Sequence, residues 1–110
     1  MPKIAIQDQK AGRRIVDGHS FVHYVANVAE WFTYHRMPGS VDLHVSHKRS
    51  GMRVAVVGPT RQLAHLSDDK GACAAELDRL IKQAGEARVR SVLAGAPDLP
   101  PYQAKNEAQS

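Results

Sequence analysis

The chain has 110 residues, of which 43% are hydrophobic and 24% are charged, a composition typical of one globular domain. This composition excludes a collagen-like repeat and a disulfide scaffold, and no apolar run approaches the roughly 18 residues of a membrane span. The net charge is +4 and is unevenly placed, since residues 1–66 hold nine basic and four acidic residues and residues 67–110 hold six and seven. A basic first part is compatible with an anionic partner, above all nucleic acid.

The N-terminal segment predicts a short strand followed by a loop. Ile4 and Ile6 alternate with other residues between Lys3 and Gln7, which is the period of a half-buried strand. The polar stretch 8–18 holds two glycines and predicts a loop, in which residues 14–16 are the only candidate for a further strand edge.

The segment from Ser20 to Arg36 predicts a helix. Ser20 suits an N-cap, and Pro38 with Gly39 would end the helix. At 100° per residue its apolar side chains cover about half of the circumference, more than an amphipathic helix usually shows. We therefore expect a helix covered on two sides, by a sheet and by either the C-terminal tail or a second subunit. The apolar residues of this helix are Phe21, Val22, Tyr24, Val25, Val28, Ala29, Trp31 and Phe32.

Residues 41–57 predict a β-hairpin that turns at Ser50 and Gly51. A two-residue loop places Lys48 opposite Arg53 and collects the apolar side chains on one face, whereas a three-residue loop scatters them. Because a slip of one residue turns every side chain to the other face, we expect the first register. The residues expected to form the core are Phe21, Val25, Val28 and Phe32 from the helix and Leu43, Val45, Val54 and Val56 from the hairpin.

The C-terminal half predicts a second helix, one ambiguous segment and a tail. After a helical turn at 60–66, acidic residues open a helix that reaches about Ala84. Residues 87–93 form either a short helix or a strand, and their alternation of arginine with valine favours a strand. We expect one domain over 1–95, followed by a Pro-rich, polar and disordered tail over 96–110.

The expected fold class is α+β: a small two-layer sandwich in which an antiparallel sheet carries two main helices. The predicted order β-α-β-β-α-β is the ferredoxin-like pattern. If residues 87–93 are helical instead, a smaller α+β sandwich results.

The histidines and the cysteine give little support to catalysis or metal binding. His19 and His23 have the spacing of helical zinc ligands, but no carboxylate follows in the pattern of zinc proteases. His44 and His47 point to opposite faces of a strand, and a ribonuclease-like pair of histidines has no evident pocket in which to act. Cys73 lies on an apolar helical stripe, as a core thiol does. We expect a non-enzymatic protein without a metal or cofactor.

The candidate functional site is the basic turn of the hairpin. In the expected register Lys48 faces Arg53, and a bound phosphate would offset the cost of these facing like charges. The expected strands carry no aromatic residues, which argues against base stacking of single-stranded RNA. The residues expected to contact a nucleic acid or nucleoprotein are Lys48, Arg49, Arg53, His44, Arg13 and Arg14. Since they lie on a polar face and at a turn, we expect the fold to survive alanine at Lys48, Arg49 and Arg53.

The alternative function is a protein–protein regulator or inhibitor. A wide apolar helix face and an open sheet edge would both invite a protein partner, including a second copy in a homodimer. Binding to a polyanion weakens steeply with salt, and this discriminates between the two functions. One cysteine and an N-terminus without the apolar segment of a signal peptide predict a cytoplasmic protein with no membrane contact.

Overall fold

A computed structural model describes residues 2–8, 12–65 and 68–100, which form six strands followed by three helices. The α+β class is confirmed: β1 and β2 form a two-stranded sheet, and β3 to β6 form a four-stranded antiparallel sheet in sequential order. The elements are β1 (Lys3–Asp8), β2 (Gly12–Asp17), β3 (His19–Val25), β4 (Val28–His35), β5 (Leu43–His47), β6 (Arg53–Val57), α1 (Pro59–Leu63), α2 (Asp69–Ala84) and α3 (Glu86–Gly95). No helix within these ranges is long and apolar enough to cross a membrane.

The helix expected over 20–36 is wrong, because the segment forms the β3–β4 hairpin. Val25 pairs with Val28 across a two-residue turn at Ala26 and Asn27, whose φ angles are 51° and 64°. Positive φ at both central residues is the signature of a type I′ turn, which matches the twist of the flanking strands. Asparagine adopts this conformation at low cost, so Asn27 is the local signal that the helical interpretation overlooked.

The ferredoxin-like order is also not observed, since no helix separates the strands in the described part of the chain. The strand favoured over 87–93 is wrong, because these residues belong to α3. Gly85, with φ at 91°, ends α2 and lets the chain restart as α3 at once. The second helix is confirmed, and its Asp68 side chain accepts a hydrogen bond from the Gly71 N–H at 2.9 Å. The helical turn after β6 is confirmed as α1.

The β5–β6 hairpin is confirmed, but its expected register is wrong. Ser46, rather than Lys48, lies opposite Arg53, and a bulge follows before Val45 pairs with Ala55. The facing pair of like charges is therefore absent. The bulge gives β6 one residue more than its partner strand. The hydrophobic alternation of the two strands in the sequence does not predict such an extra residue.

The connecting loop spans residues 48–51 instead of two residues. The Gly51 N–H donates to the His47 carbonyl at 2.7 Å, and the His47 N–H donates to the Met52 carbonyl at 2.8 Å. Gly51 has φ at 69°, and a Cβ there would lie 2.9 Å from the Gln7 backbone nitrogen. Glycine is required both by the left-handed backbone and by the close approach of β1.

The hydrophobic core lies between the four-stranded sheet and helices α2 and α3, and we call this side of the sheet the inner face. The expectation that Val28 and Val56 lie in the core is wrong, since these side chains are 48% and 42% exposed. Val54 is partly buried against the core. Val57 is fully buried in place of Val56, as the bulge requires. The expected core residues that are confirmed as buried are Phe21, Val25, Phe32, Leu43 and Val45.

The β1–β2 hairpin packs across the opposite side of the sheet, which we call the outer face. The Gln7 side chain donates to the Ser50 carbonyl at 2.9 Å, and the Leu99 N–H donates to the Arg49 carbonyl at 2.8 Å. The loop expected over 8–18 therefore contains a full strand, β2. Residues 96–100 of the expected disordered tail lie against this hairpin and loop, and residues 101–110 lie outside the described residues.

Candidate nucleic-acid interface

Two of the arginines expected to contact nucleic acid are engaged within the protein. Arg49 donates to the Asp98 carboxylate at 2.6 Å and to the Leu93 carbonyl at 2.8 Å. Arg13 donates to the Pro100 carbonyl at 2.9 Å. These guanidinium groups fasten the segment that follows α3.

Arg14, Arg53 and His44 line one cleft on the outer face. The Arg53 Nη1 atom lies 3.5 Å from His44 Nδ1, at the limit of a hydrogen bond. The His44 ring lies 5.2 Å from the His35 ring, measured between centroids. These residues come from β2, β4, β5 and β6, and only the tertiary fold brings them together.

Lys48 lies outside this cleft and against an exposed aromatic ring. Its Nζ atom is 5.0 Å from the centre of the Trp31 ring, within the range of a cation–π contact. The Lys48 N–H also donates to the Trp31 carbonyl at 3.0 Å, which holds the loop beside β4. The lysine side chain is exposed and pairs with no carboxylate of the described residues.

Trp31 belongs to an exposed apolar surface that the sequence analysis missed. Val22 lies opposite Trp31, and Tyr24 lies opposite Ala29 on the same side of the β3–β4 hairpin. Tyr24 and Trp31 are 66% and 51% exposed. We call Val22, Tyr24, Trp31 and Lys48 the aromatic face. The expectation that the strands carry no aromatic residues is wrong, because Tyr24 and Trp31 lie on strands rather than on a helix.

A buried network on the inner face resembles a catalytic triad in its residue types. His47 Nδ1 lies 2.8 Å from the Ser50 hydroxyl, and His47 Nε2 lies 2.8 Å from a Glu30 oxygen. The second Glu30 oxygen accepts from Arg90 at 2.5 Å. Ser50 and His47 are fully buried, and the hydroxyl also accepts the Met52 N–H at 3.2 Å. Since no substrate can reach this serine, the network fixes the 48–51 loop rather than activating a nucleophile.

The charge state of Glu30 follows from its neighbours. Burial raises the pKa of this carboxyl, but the hydrogen bonds from His47 and Arg90 outweigh burial and lower the pKa below its usual value. The carboxylate is therefore ionised at neutral pH and holds α3 to the sheet through Arg90.

His19, His23 and the cysteine have structural surroundings. His19 stacks on Tyr34 with centroids 5.2 Å apart, and His23 lies 2.8 Å from the Asp78 carboxylate of α2. Within residues 2–8, 12–65 and 68–100, no three His, Cys, Asp or Glu side chains are placed to hold a metal ion. Burial raises the pKa of the Cys73 thiol to about 12, which makes it a weak nucleophile.

No family model, curated protein or solved structure matches the chain.

Proposed function

We propose that the protein binds single-stranded nucleic acid, with bases stacked on the aromatic face and phosphates held by neighbouring cations. The observation that carries this proposal is the exposed Trp31 ring with the Lys48 Nζ atom 5.0 Å from its centre. A ring beside a cation offers a nucleotide both a stacking surface for its base and a positive charge for its phosphate.

The exposed rings favour a single strand over a duplex. Trp31 and Tyr24 lie diagonally across one strand pair and share its outer side. Bases within a duplex stack on each other, whereas bases of a single strand are free to stack on protein rings. Each stacked base contributes about 1–3 kcal/mol, so two rings suffice for a measurable affinity.

Unpaired cations extend this surface along the outer face. No carboxylate of the described residues pairs with Arg14, Arg53 or Lys48, whereas Arg13 and Arg49 have internal partners. A cation that has no counter-ion can bind a phosphate without first breaking an ion pair. We therefore retain Arg14, Arg53, His44 and Lys48 as contacts and withdraw Arg13 and Arg49. A cytoplasmic location and a non-enzymatic role belong to the same proposal.

The fluorescence of Trp31, the single tryptophan, tests the proposal directly. We expect a single-stranded oligothymidylate to quench this fluorescence saturably, with an affinity that falls steeply as salt rises. Tyr24→Ala should weaken binding about fivefold or more through lost stacking. Lys48→Ala should lower the slope of log affinity against log salt by about 1.

Lys82→Ala is the matched control, because Lys82 is an exposed lysine on α2, away from the outer face. It should leave both the affinity and the salt slope unchanged. Absence of quenching together with absence of binding by a labelled oligonucleotide would contradict the proposal. Equal effects of Lys82→Ala and Lys48→Ala would show non-specific attraction to a basic protein.

A protein–protein regulator or homodimer remains the second candidate, with a changed surface. The expected helix face does not exist, but Val22 is exposed opposite Trp31 on the outer side of the β3–β4 hairpin. In addition, β3 and β6 end the four-stranded sheet, where a further strand can pair. Sedimentation at low and high salt distinguishes the two functions, since an apolar interface persists in high salt and a phosphate contact does not.

A further inference from the structure

A cleft of about 830 Å³ opens on the outer face between the two sheets. One wall comes from β1 and β2, another from β4, β5 and β6, and a third from the segment that follows α3. This volume falls in the range of pockets that hold small organic ligands. The polar and charged residues that line it are Gln7, Asp8, Arg14, His35, His44, Ser46, Arg53 and Asp98.

His35 in the wall of this cleft has a polar atom that the fold leaves unsatisfied. The side chain is only 5% exposed, and its Nδ1 atom has no hydrogen-bond partner. Burial, helped by His44 and Arg14, lowers the pKa of His35, so the ring is neutral at pH 7. Buried polar groups are nearly always hydrogen-bonded, so this unsatisfied atom, in a cleft that also holds two arginines, supports a ligand at this place.

The positive charges of the cleft are available to such a ligand. Arg14 has no carboxylate partner among the described residues, and Arg53 reaches only His44, at 3.5 Å. Two carboxylates also line the cleft. Asp98 is already paired with Arg49 at 2.6 Å, and Asp8 has an interaction of its own. Neither guanidinium group is therefore held in an ion pair with a carboxylate of the described residues, and each can donate to a phosphate oxygen.

We propose that this cleft binds a phosphate monoester, with Arg14 and Arg53 holding the phosphate oxygens and the histidine pair His35 and His44 completing its hydrogen bonds. Guanidinium groups match phosphate oxygens in geometry, and two of them balance the dianion of a monoester. A phosphodiester carries one negative charge, which one of the two guanidinium groups would already balance. The cleft is larger than a phosphate ion, so the phosphate is carried on a bigger group.

This inference shares Arg14, Arg53 and His44 with the proposed function, but it does not require the aromatic face. A nucleoside monophosphate and the terminal phosphate of a nucleic-acid strand are two sources of the same group. Inorganic phosphate is the minimal probe, and a nucleoside 5′-monophosphate is the second. A 5′-phosphorylated oligonucleotide compared with its 5′-hydroxyl form tests the strand end.

Calorimetric titration at pH 7.5 with these probes tests the proposal. We expect saturable phosphate binding that Arg14→Ala and Arg53→Ala each weaken about tenfold or more, as loss of a charge-assisted hydrogen bond does. Arg88→Ala is the matched control, since Arg88 is an exposed arginine of α3 on the helix side, and it should leave the affinity unchanged.

His35→Phe separates a binding role from a structural one. It removes the unsatisfied atom, so the melting temperature should stay the same or rise while phosphate affinity falls. A lowered melting temperature with unchanged phosphate affinity would overturn the role of His35.

Absence of saturable phosphate binding, or an equal loss in Arg88→Ala, would overturn the site. A tighter complex with the 5′-phosphorylated strand supports it and identifies a strand end as the source. A preference for the nucleoside monophosphate, without a gain from the strand, supports it with a free nucleotide as the source. Quenching of Trp31 by a 5′-hydroxyl strand without any phosphate binding would leave the proposed function standing and refute this inference alone.

Discussion

The two faces of the four-stranded sheet differ in how their charged groups are paired. On the inner face Glu30, His47 and Arg90 hydrogen-bond to one another beneath α3. On the outer face His35 keeps an unsatisfied nitrogen, and Arg14 pairs with no carboxylate of the described residues. The difference teaches that the pairing of each charge, rather than the number of charges, separates the cations that hold the fold from those that have no internal partner.

Arg49 and Arg53 differ in the same way, although both belong to the β5–β6 hairpin and its loop. Both were expected to contact phosphates, yet Arg49 holds the chain after α3 and Arg53 lines an open cleft. Alanine at Lys48, Arg49 and Arg53 together was expected to leave the fold intact, and this stays a prediction; because Arg49 bonds to Asp98 and to the Leu93 carbonyl, we now expect the triple variant to lose stability through Arg49.

The largest effect should come from the core of the inner face. Phe32→Ala removes a buried ring and should lower the free energy of unfolding by about 3–5 kcal/mol. Urea denaturation followed by circular dichroism measures this loss. Val28→Ala, an exposed site on the same strand, should change stability by less than about 0.5 kcal/mol. A Phe32→Ala loss below about 1 kcal/mol would mean that this face is not the core.

The partly buried ion pair of the inner face should rank next. Glu30→Ala leaves the Arg90 charge without its partner and should cost about 3 kcal/mol. Because the pKa of Glu30 is lowered in the fold, its contribution is present above the pKa of the unfolded chain and is lost as pH falls through the folded value. Denaturation between pH 7 and pH 3 should therefore show a loss in the parent that Glu30→Ala lacks. Parallel curves for the two proteins would contradict this assignment.

Arg49→Ala and Arg53→Ala should separate stability from binding. Arg49→Ala should lower the free energy of unfolding by about 1–2 kcal/mol, with little effect on the salt slope of oligonucleotide binding. Arg53→Ala should leave stability within about 0.5 kcal/mol and reduce the salt slope by about 1. Thermal melts measure the stability, and fluorescence titrations measure the salt slope. A stability loss in Arg53→Ala together with a reduced salt slope in Arg49→Ala would contradict the roles assigned to the two arginines.

The smallest signal should come from Cys73 in the native protein. The thiol is fully buried, and burial raises its pKa to about 12, so a thiol reagent at pH 8 should label it only through unfolding. Labelling followed by absorbance should accelerate in urea and in Phe32→Ala. Rapid labelling of the folded parent protein would show that α2 does not cover this part of the sheet.

Parts of the fold could be predicted because local signals agreed with the tertiary structure. The acidic start of α2, capped by Asp68, and the alternation in β1 and β5 are confirmed. The β3–β4 hairpin could not be recognised from hydrophobic periodicity, because apolar residues occupy both of its sides. Trp31 and Tyr24 lie on the outer side, where a half-buried strand usually has polar residues. The hydrophobic pattern of the segment therefore resembled the broad apolar stripe of a helix.

The candidate site was predictable only as a set of residue types. The sequence by itself determined the α+β class, the buried positions Phe21, Phe32 and Leu43, and a basic first part of the chain. Only the tertiary structure decided which cations are engaged, because Arg13 and Arg49 meet their partners at Pro100 and Asp98 through contacts distant in sequence. Local patterns carry the periodicity of single elements, whereas pairing across the β5–β6 bulge and between the two sheets depends on how those elements pack.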